Sequence, residues 1–483
     1  MKAMFASFLI RRITRRGIGA ALMILGGFRI CLPAEAAPPN VVFILADDLR
    51  PDGLGSLGNP VIKSPNIDSI VNRGFIFRHA YTMGSMIGAV CVPSRTMLLT
   101  GQSMFRAKNE ASGGDPATFT FPHAMRAAGY AAVHAGKKYT SPKKITDEFD
   151  QTYDEKFGAA NADKVIDFIH REAGQKPLFV YFAPLEPHDP QYATAEYYAM
   201  YRPADIPLPA AFLPWHPFDN GAMTGRDEKT VGWPRTRENV TGKLARYYAS
   251  ISYLDAQVGR LVDALRQSGQ MENTVFIVAG DNGLSLGEHG LIGKQNLYEF
   301  GGMHVPLVFA SSSIPKGETN ALVYLMDVFP TVCELAGVPK PARVEGKSLA
   351  PIMHGDVPRV REYLFTVFGE VQRAIRDERW KVIRYPEIDK TQLFDLQSDG
   401  HEMTDLAGQP DQAGRIAELL AQMKKAQQEA GDALPLSAPN PKPSDWSPAK
   451  LTPKDIEEQQ AETKRCADEM SLLRNYATPA KRQ

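Results

Sequence analysis

Residues 40–46 read Asn-Val-Val-Phe-Ile-Leu-Ala, an apolar run that is followed directly by Asp47 and Asp48. A continuous run of this kind is typical of a strand that is buried on both faces of a parallel sheet. Similar runs recur downstream at residues 131–134, 178–182, 275–279 and 306–310. Between them lie helix-like segments, of which the clearest are residues 66–73 and 243–267. This alternation predicts an α/β domain with a doubly wound, mostly parallel sheet and helices on both faces.

The sequence pattern changes near residue 355, where short strand-like stretches with tight connections begin. These stretches are residues 373–376, 380–385 and 392–396, and a helix-like stretch follows at residues 413–429. They indicate a small antiparallel sheet with one helix against it. We therefore expect an α/β catalytic domain at 38–355, a small C-terminal α+β subdomain at 356–432 and a peripheral tail at 433–483. The proline-rich stretch 203–234 is expected to be a long ordered loop, a type of segment that often carries specificity.

Composition and charge narrow the class of protein. The chain has 483 residues, of which 43% are hydrophobic and 23% are charged, so it is long enough for a large core and more than one domain. Lysine and arginine together number 55, as do aspartate and glutamate, so the net charge is zero. No global charge recruits nucleic acid or an acidic membrane surface. Any recognition of an anion must therefore be local.

The first 36 residues are expected to be an export signal. Four arginines, at positions 11, 12, 15 and 16, precede an apolar run at 18–28, and Ala34-Glu35-Ala36 supplies small residues for cleavage. The run is too short to span a bilayer, so we expect no stable membrane anchor and an exported protein, periplasmic or secreted. Cleavage would leave Cys91, Cys333 and Cys466. A pairing of Cys333 with Cys466 would single out Cys91 as a free thiol.

Cys91 begins the stretch Cys-Val-Pro-Ser-Arg. Pro93 fits the first turn of a helix, which places Cys91 at the helix N-terminus, where free N–H groups favour negative charge. Arg95 would share the face of Cys91 and is suited to a tetrahedral oxyanion. The alternative is that Cys91 is a small buried apolar residue and Arg95 a solvated charge.

Two pairs of residues with side-chain oxygens follow predicted strands. Asp47 and Asp48 come after the first strand, and Asp281 and Asn282 come after the strand at 275–279. Both pairs should meet at one edge of the sheet, where three carboxylates and an amide favour a hard cation such as Ca²⁺ or Mg²⁺. The alternative for either pair alone is helix capping or turn formation.

Taken together, these motifs resemble the type I sulfatases of the alkaline phosphatase superfamily. The matching stretches are Asn40 to Arg50, Ser64-Pro65-Asn66-Ile67-Asp68, Cys91-Val92-Pro93-Ser94-Arg95, Leu99-Thr100-Gly101, Gly136-Lys137, Pro187-His188, Tyr253-Leu254-Asp255, Gly280-Asp281-Asn282-Gly283, Gly287-Glu288-His289-Gly290, Lys294, Trp380-Lys381 and Leu393-Phe394-Asp395-Leu396. Within the family, the sequence is most similar to iduronate-type and related carbohydrate sulfatases. The resemblance implies an alkaline-phosphatase-like fold.

The resemblance also implies a chemistry for the matched residues. Cys91 would be oxidised to formylglycine by a formylglycine-generating enzyme, and the hydrated aldehyde would attack the sulfur of a sulfate ester. The metal, Ca²⁺ or Mg²⁺, would be held by Asp47, Asp48, Cys91, Asp281 and Asn282. Arg95, Lys137 and Lys294 would offset charge on the sulfate, and His188 would contact the leaving oxygen. Glu288 would hold the loop that carries Lys294, whereas His289 and His304 would be structural, or substrate-facing in the case of His304.

One position departs from the family pattern. Members usually carry a histidine two or three residues after the lysine matched by Lys137, and that histidine assists sulfate elimination. Here those positions are Tyr139 and Thr140. Either another group such as His134 or Tyr139 takes the role, or elimination is slow.

Three functions remain open at this stage. The first is hydrolysis of a sulfate ester, with a sulfated small molecule or saccharide as the substrate. The second is a phosphonate or phosphate diester hydrolase of the same superfamily. The third is a protein that binds sulfated glycans with impaired turnover, which the departure after Lys137 makes conceivable.

Overall fold

The computed structural model describes residues 37–111, 120–138 and 143–476. The expected export signal lies outside this part, as do Tyr139 and Thr140, so these predictions are not addressed by the structure. No helix among the described residues has the length and hydrophobicity needed to cross a membrane.

The strands fall into two sheets. Those of the large sheet are β1 (Asn40–Ala46), β2 (Phe75–Tyr81), β4 (Ala131–Gly136), β5 (Gln151–Tyr153), β6 (Leu178–Ala183), β7 (Thr274–Gly280), β8 (His304–Ala310) and β9 (Gly317–Tyr324). Those of the second sheet are β3 (Gly84–Ser85), β10 (Leu364–Phe368), β11 (Gln372–Arg376), β12 (Trp380–Tyr385) and β13 (Lys390–Asp395).

Among the described residues, the large sheet has eight strands in the order β5-β4-β6-β1-β7-β8-β2-β9. Strand β8 pairs antiparallel with both of its neighbours, whereas the other pairings are parallel. The predicted mostly parallel sheet is confirmed. Because β1 lies in the middle of the sheet, its carboxyl end opens onto the centre of one edge, where ligands bind in open α/β sheets.

Helices cover both faces of this sheet. The helices of the described residues are α1 (Pro65–Val71), α2 (Cys91–Thr100), α3 (Met104–Ala111), α4 (Phe121–Ala127), α5 (Lys143–Thr146), α6 (Gly158–Glu172), α7 (Ala195–Tyr198), α8 (Arg237–Gln267), α9 (Val328–Leu335), α10 (Ala350–Met353), α11 (Ala413–Ala430) and α12 (Pro453–Tyr476), of which the last two lie away from the large sheet.

Successive side chains of β1 enter different cores, as the strand's period of two requires. Val42 and Ile44 pack in a core with residues of α1, α6 and α8. Val41 and Phe43 pack on the other face with residues of α2, α4 and α9. The strand is therefore buried on both faces, which explains why its sequence is a continuous apolar run.

The second sheet is mostly antiparallel, with α11 against it. Its strands run in the order β13-β12-β11-β10-β3. The last of these, β3, comes from the segment that leads to α2, and Gly84 pairs with Val367 of β10. The φ angle of Gly84 is 131°, and a Cβ there would lie 1.8 Å from the carbonyl oxygen of Val367. Only glycine allows this approach, which joins the small sheet to the α2 segment.

Several elements differ from the sequence expectations. Helix α8 begins at Arg237, six residues before the predicted start, because the Thr236 side chain caps it by accepting a hydrogen bond from the Asn239 N–H. Strands β2 and β9 were not predicted, since charged residues interrupt them. The tail, expected to be peripheral, contains the helix α12.

Candidate functional site

The two predicted pairs, Asp47 with Asp48 and Asp281 with Asn282, meet at one edge of the large sheet. Strands β1 and β7 are parallel neighbours, with Ala46 opposite Gly280, so the residues that follow them lie side by side. The Asp48 N–H donates to Oδ1 of Asp281 at 3.0 Å. Asp48 has a φ of 67°, and the Tyr247 hydroxyl holds this turn by donating to the Asp48 carbonyl at 2.8 Å. Non-glycine residues with positive φ are uncommon and concentrate at functional sites.

Cys91 lies at the centre of this edge. It is the first residue of α2, as the position of Pro93 predicted. Its Sγ is 3.1 Å from Oδ1 of Asp47 and 3.7 Å from Oδ1 of Asp48. The Ser94 hydroxyl donates to the Asp281 carbonyl at 2.5 Å and so fixes the start of α2 to the end of β7.

The surroundings of Cys91 do not favour a thiolate. Its side chain is buried, and burial raises the thiol pKa well above its usual value; the charges of Asp281 and Asp47 raise it further. The thiolate is the nucleophilic form of cysteine, so the unmodified residue is a poor nucleophile here. The carboxylates outweigh the effect of the helix N-terminus.

Two lysines reach the same centre from different parts of the chain. Lys294 Nζ lies 2.6 Å from Oδ1 of Asp48 and 3.2 Å from Sγ of Cys91. Lys137, which follows β4, places Nζ 2.9 Å from Oδ2 of Asp47. Both side chains are buried, so their charges act in a medium where electrostatic interactions are strong. They are positioned to compensate negative charge on a group bound at Cys91.

Arg95 is a buried residue whose guanidinium contacts the carboxylates of the cluster. Its side chain has no exposed surface, and its Nε binds Oδ2 of Asp281 at 2.8 Å while Nη2 binds Oδ2 of Asp47 at 3.0 Å. The guanidinium thus bridges the carboxylates that follow β1 and β7. Its contacts fix the geometry of the acidic cluster.

The buried carboxylates respond differently to this environment. Burial favours the neutral acid at Asp47, but the charges of Lys137, His188 and Arg95 outweigh it and hold the pKa below its usual value. At Asp281, burial and the charge of Asp47 raise the pKa. The pKa of the two carboxylates thus moves in opposite directions, although Arg95 forms an ion pair with both.

His188 lies at the opening of the site, on the loop after β6. Its Nε2 is 3.7 Å from Oδ2 of Asp48, and its Nδ1 is 2.8 Å from the carbonyl oxygen of Asp189. Because a carbonyl can only accept, Nδ1 carries a hydrogen, so Nε2 can donate a proton only when the ring is charged. The Asp189 carboxylate binds Lys243 Nζ at 2.5 Å instead of the histidine ring.

The donor atoms fit a bound cation. Ligand atoms of Asp47, Asp48, Cys91 and His188 lie within 4.8 Å of one another. Asn282 borders this group: its Nδ2 donates to Asp48 Oδ1 at 2.7 Å, and its buried Oδ1 has no hydrogen-bond partner among the described residues. A buried acceptor without a partner is costly unless something binds it, and a hard cation satisfies an amide oxygen.

His134 was a candidate to replace the histidine expected after Lys137. It lies in β4, where its ring stacks on Tyr181 at 5.4 Å between centroids and meets Phe149 edge-on at 5.5 Å. Burial lowers its pKa to about 3. A base with so low a pKa is poorly matched to proton transfer near neutral pH.

Glu288 and the two remaining predicted histidines have structural contacts. The Glu288 carboxylate binds Arg50 Nη2 at 2.7 Å and accepts the Leu286 N–H at 2.7 Å. His289 stacks on Tyr298 at 3.9 Å. His304 stacks on Tyr81 at 4.5 Å.

Sequence reasoning missed a pair that holds the Lys294 loop. The Glu228 carboxylate accepts the N–H groups of Ile292 and Gly293 at 3.0 and 2.8 Å, and it binds Arg235 Nη2 at 2.5 Å. Glu228 lies in the stretch expected to be an ordered loop, and Arg235 directly follows it. Their burial is a property of the fold, so no local sequence pattern pointed to the pair.

Sequence comparisons agree with this geometry. Residues 39–338, more than half of the chain, match the family model "Sulfatase", and residues 287–429 match the model "N-sulphoglucosamine sulphohydrolase, C-terminal".

Individual relatives are distant but extend over most of the chain. The protein is 25% identical to an arylsulfatase of Clostridium perfringens over 78% of this chain and 92% of the relative. It is 24% identical to an N-acetylglucosamine-6-O-sulfatase of Bacteroides thetaiotaomicron over 82% and 88%. Its fold is similar to that of a phosphonate monoester hydrolase from Silicibacter pomeroyi, with a TM-score of 0.69, 22% identity and coverage of 82% and 96%. The family match over the whole α/β sheet, together with Cys91 among acidic and lysine side chains, shows that the chain belongs to the sulfatase family.

Proposed function

We propose that the protein hydrolyses the sulfate ester of a saccharide, using a formylglycine made from Cys91. The observation that carries the proposal is the position of Sγ, 3.1 Å from Asp47 and 3.2 Å from Lys294 in a pocket where burial raises the thiol pKa. The position suits a nucleophile, but the unmodified thiol does not. As the formylglycine hydrate, residue 91 supplies one hydroxyl that attacks sulfur and a second that lets the aldehyde re-form as sulfate leaves.

The surrounding side chains support this reaction by charge and position. Lys294 and Lys137 face the attacking group and lower the cost of placing a sulfate beside three carboxylates. Arg95 keeps Asp47 and Asp281 at a fixed separation. His188, at the opening, donates a proton to the ester oxygen as its bond to sulfur breaks, when the ring is charged, so that the sugar leaves as an alcohol.

Membership of the family implies a metal, and we propose Ca²⁺, with Mg²⁺ as the alternative. Asp47, Asp48, Asp281, Asn282 and the modified residue 91 would hold it. Their donors are then all oxygen, as hard divalent cations prefer. When bound, such an ion polarises a sulfate oxygen.

A saccharide substrate and export are further parts of the proposal. A relative named N-acetylglucosamine-6-O-sulfatase supports a sulfated sugar. The apolar run at 18–28 behind four arginines supports export to the periplasm or medium. A formylglycine-generating enzyme is then the partner required for maturation.

Mass spectrometry of the peptide that contains residue 91 tests the proposal. Conversion of cysteine to formylglycine lowers its mass by about 18 Da. An unmodified Cys91 in protein from its natural host would contradict the proposal.

Kinetics separate the remaining functions. The same enzyme preparation should hydrolyse an aryl sulfate faster than an aryl phosphonate monoester. The reverse preference would indicate a phosphonate hydrolase, whose fold is similar. Affinity for sulfated saccharides without hydrolysis of either compound would indicate a binding protein.

A further inference from the structure

The proline-rich stretch 203–234 places an arginine near the site. Arg226 precedes a short 3-10 helix at Asp227–Thr230. Its Nε donates to Oδ1 of Asp227 at 2.9 Å, and its Nη2 contacts the same oxygen. Its side chain nonetheless keeps 48% of its surface exposed. One edge of the guanidinium is therefore held in place while part of the group faces solvent.

Hydrogen bonds connect this arginine to the catalytic centre. Oδ2 of Asp227 accepts from Gln295 Nε2 at 2.8 Å, and the same Nε2 donates to the Gly88 carbonyl at 3.0 Å. Gln295 follows Lys294, and Gly88 lies three residues before Cys91. Asp227 thus ties Arg226 to the two segments that carry these residues.

Electrostatics place Arg226 beside the acidic centre as well. Burial lowers its pKa, but the charges of Asp227 and Asp189 outweigh burial and raise it, with a smaller contribution from Asp48. Nη2 is 4.0 Å from Oδ2 of Asp189, the residue after His188. The arginine therefore lies near the segment that carries His188.

The neighbouring carboxylates have cations of their own. Asp189 binds Lys243 at 2.5 Å. Glu462 of α12, whose charge also acts on Asp189, binds Arg465 at 2.6 Å. Since Asp189 and Glu462 pair with other cations, Asp227 is the main partner of Arg226, and part of the arginine side chain stays exposed to an approaching anion.

Helix α12 supports the segment from behind. Lys229 forms an ion pair with Glu458, and Gln459 Nε2 donates to the Val231 carbonyl at 3.2 Å. The Thr463 hydroxyl donates to the Lys229 carbonyl at 3.4 Å. These contacts fix the backbone next to Arg226, so the guanidinium is held before a ligand arrives.

We propose that Arg226 is a specificity-determining residue that binds a second anionic group, a carboxylate or another sulfate, on the saccharide that carries the scissile sulfate. The inference rests on the proposed function. Arginine suits this role because its planar group makes paired hydrogen bonds to carboxylate and sulfate oxygens. The enzyme would then prefer saccharides with two anionic groups to those with one.

Calorimetric binding of a matched pair of sugars tests this role. The background is Cys91→Ala, which binds without turnover, and the ligands are N-acetylglucosamine 6-sulfate and N-sulfoglucosamine 6-sulfate, which differ in one anionic group. The doubly charged sugar should bind more tightly. Adding Arg226→Gln should weaken the binding of the doubly charged sugar roughly 10- to 100-fold, because charged hydrogen bonds are lost. The binding of the singly charged sugar should weaken less than about threefold.

Controls separate this result from misfolding and from failure of the proposed function. Arg202→Gln removes a more exposed arginine that directly precedes the same stretch and pairs with Asp205, and it should weaken the binding of neither sugar. Arg226→Lys keeps the charge but not the planar group, so its affinity for the doubly charged sugar should lie between those of the parent and of Arg226→Gln. Thermal unfolding verifies the fold of each variant. Equal weakening of both sugars by Arg226→Gln, or no preference in the background protein, would overturn the role of Arg226. Aryl sulfate hydrolysis by unaltered enzyme tests the proposed function separately.

Discussion

Two of the buried clusters of carboxylates and cations among the described residues differ in the ligand atoms that they offer to a metal. The first follows β1 and β7 and contains Asp47, Asp48 and Asp281 with Arg95, Lys137 and Lys294. The second lies between the large sheet and the C-terminal sheet. There, Glu299 binds Arg376 at 2.8 Å and Lys381 at 2.9 Å, and it also accepts from the Tyr81 hydroxyl.

Both clusters contain atoms that are arranged as metal ligands, but only the first fits a cation. At the second, His79, Glu299 and His304 lie close together, yet Arg376 and Lys381 already supply positive charge to the carboxylate. Buried atoms without a hydrogen-bond partner occur at both clusters, among them Asn282 Oδ1 at the first and His79 Nδ1 at the second, but the first offers the carboxylates of Asp47 and Asp48 where the second offers only that of Glu299. The comparison teaches that the number of carboxylate donors distinguishes the candidate cation site, since both clusters hold buried cations and atoms without a partner.

The largest effect is expected from Asp281→Asn. The substitution keeps the shape and an acceptor for the Asp48 N–H but removes the charge that Arg95 and the metal require. We expect turnover of an aryl sulfate to fall by roughly 10³-fold or more. Steady-state kinetics measure it, and a rate within tenfold of the parent would show that this cluster is no more catalytic than the second.

Glu299→Gln should destabilise the fold by breaking the second cluster. Arg376 and Lys381 would lose their shared buried partner, at a cost of about 3–5 kcal/mol in the free energy of unfolding. Urea denaturation measures the change. The matched control Glu318→Gln removes an exposed partner of Arg78 and should cost less than about 1 kcal/mol. Equal losses would contradict the assignment of the Glu299 cluster as a structural joint.

Calcium should stabilise the protein through the first cluster. At a concentration about one hundred times its Kd, a ligand that binds only the folded state adds about 2.7 kcal/mol. We expect a corresponding rise in the unfolding midpoint of the parent and no rise for Asp281→Asn. Repeating the titration with Mg²⁺ identifies the preferred ion; an equal rise in the variant would place the ion elsewhere.

Glu402→Gln should change the pH dependence of stability. Burial and the charge of Glu299 raise the pKa of Glu402 to about 7. Its ordinary value is about 4.5, so the folded state binds the proton more tightly, and the resulting stability is lost as pH rises from about 4.5 to 7, by on the order of 2 kcal/mol. The variant should gain stability relative to the parent over this range. Thermal unfolding at several pH values measures it, and parallel curves would contradict the shift.

Thr140→His is expected to have the smallest effect, and it tests whether the first cluster lacks a base. It restores a histidine near Lys137, where family members usually carry one. If a base is lacking, turnover should rise by roughly tenfold. Aryl sulfate kinetics measure the rate; an unchanged or lower value would indicate that elimination is already served by another group.

The sequence predicted the centre of the sheet better than its edge. Strand β1 was found because both faces are buried, which makes residues 40–46 a continuous apolar run. Strand β2 was missed because Arg78 interrupts it; this side chain binds Glu318 at the surface, on the neighbouring strand β9. Strand β9 at the edge and its neighbour β2 are only partly buried, so they lack the continuous apolar pattern that made β1 visible.

The same contrast applies to the site. Asp47, Asp48, Asp281 and Asn282 were predicted because each pair directly follows a recognisable strand. Glu228 and Arg235 were not, because their partners are distant backbone groups that no local pattern encodes. The roles of the site residues stay predictions until the variants are measured.

Helix α12 was missed because its composition is that of a polar tail.

The pairing of Gly84 with Val367 has a consequence for synthesis. Strand β3, which leads to Cys91, leaves the ribosome long before β10 exists to pair with it, so the small sheet closes late. Cys91 is 4% exposed in the finished fold, which leaves no room for a modifying enzyme. If residue 91 is oxidised, the reaction must take place before the fold closes over it, and the wait for β10 lengthens that interval. Delaying translation between these two strands should increase the modified fraction.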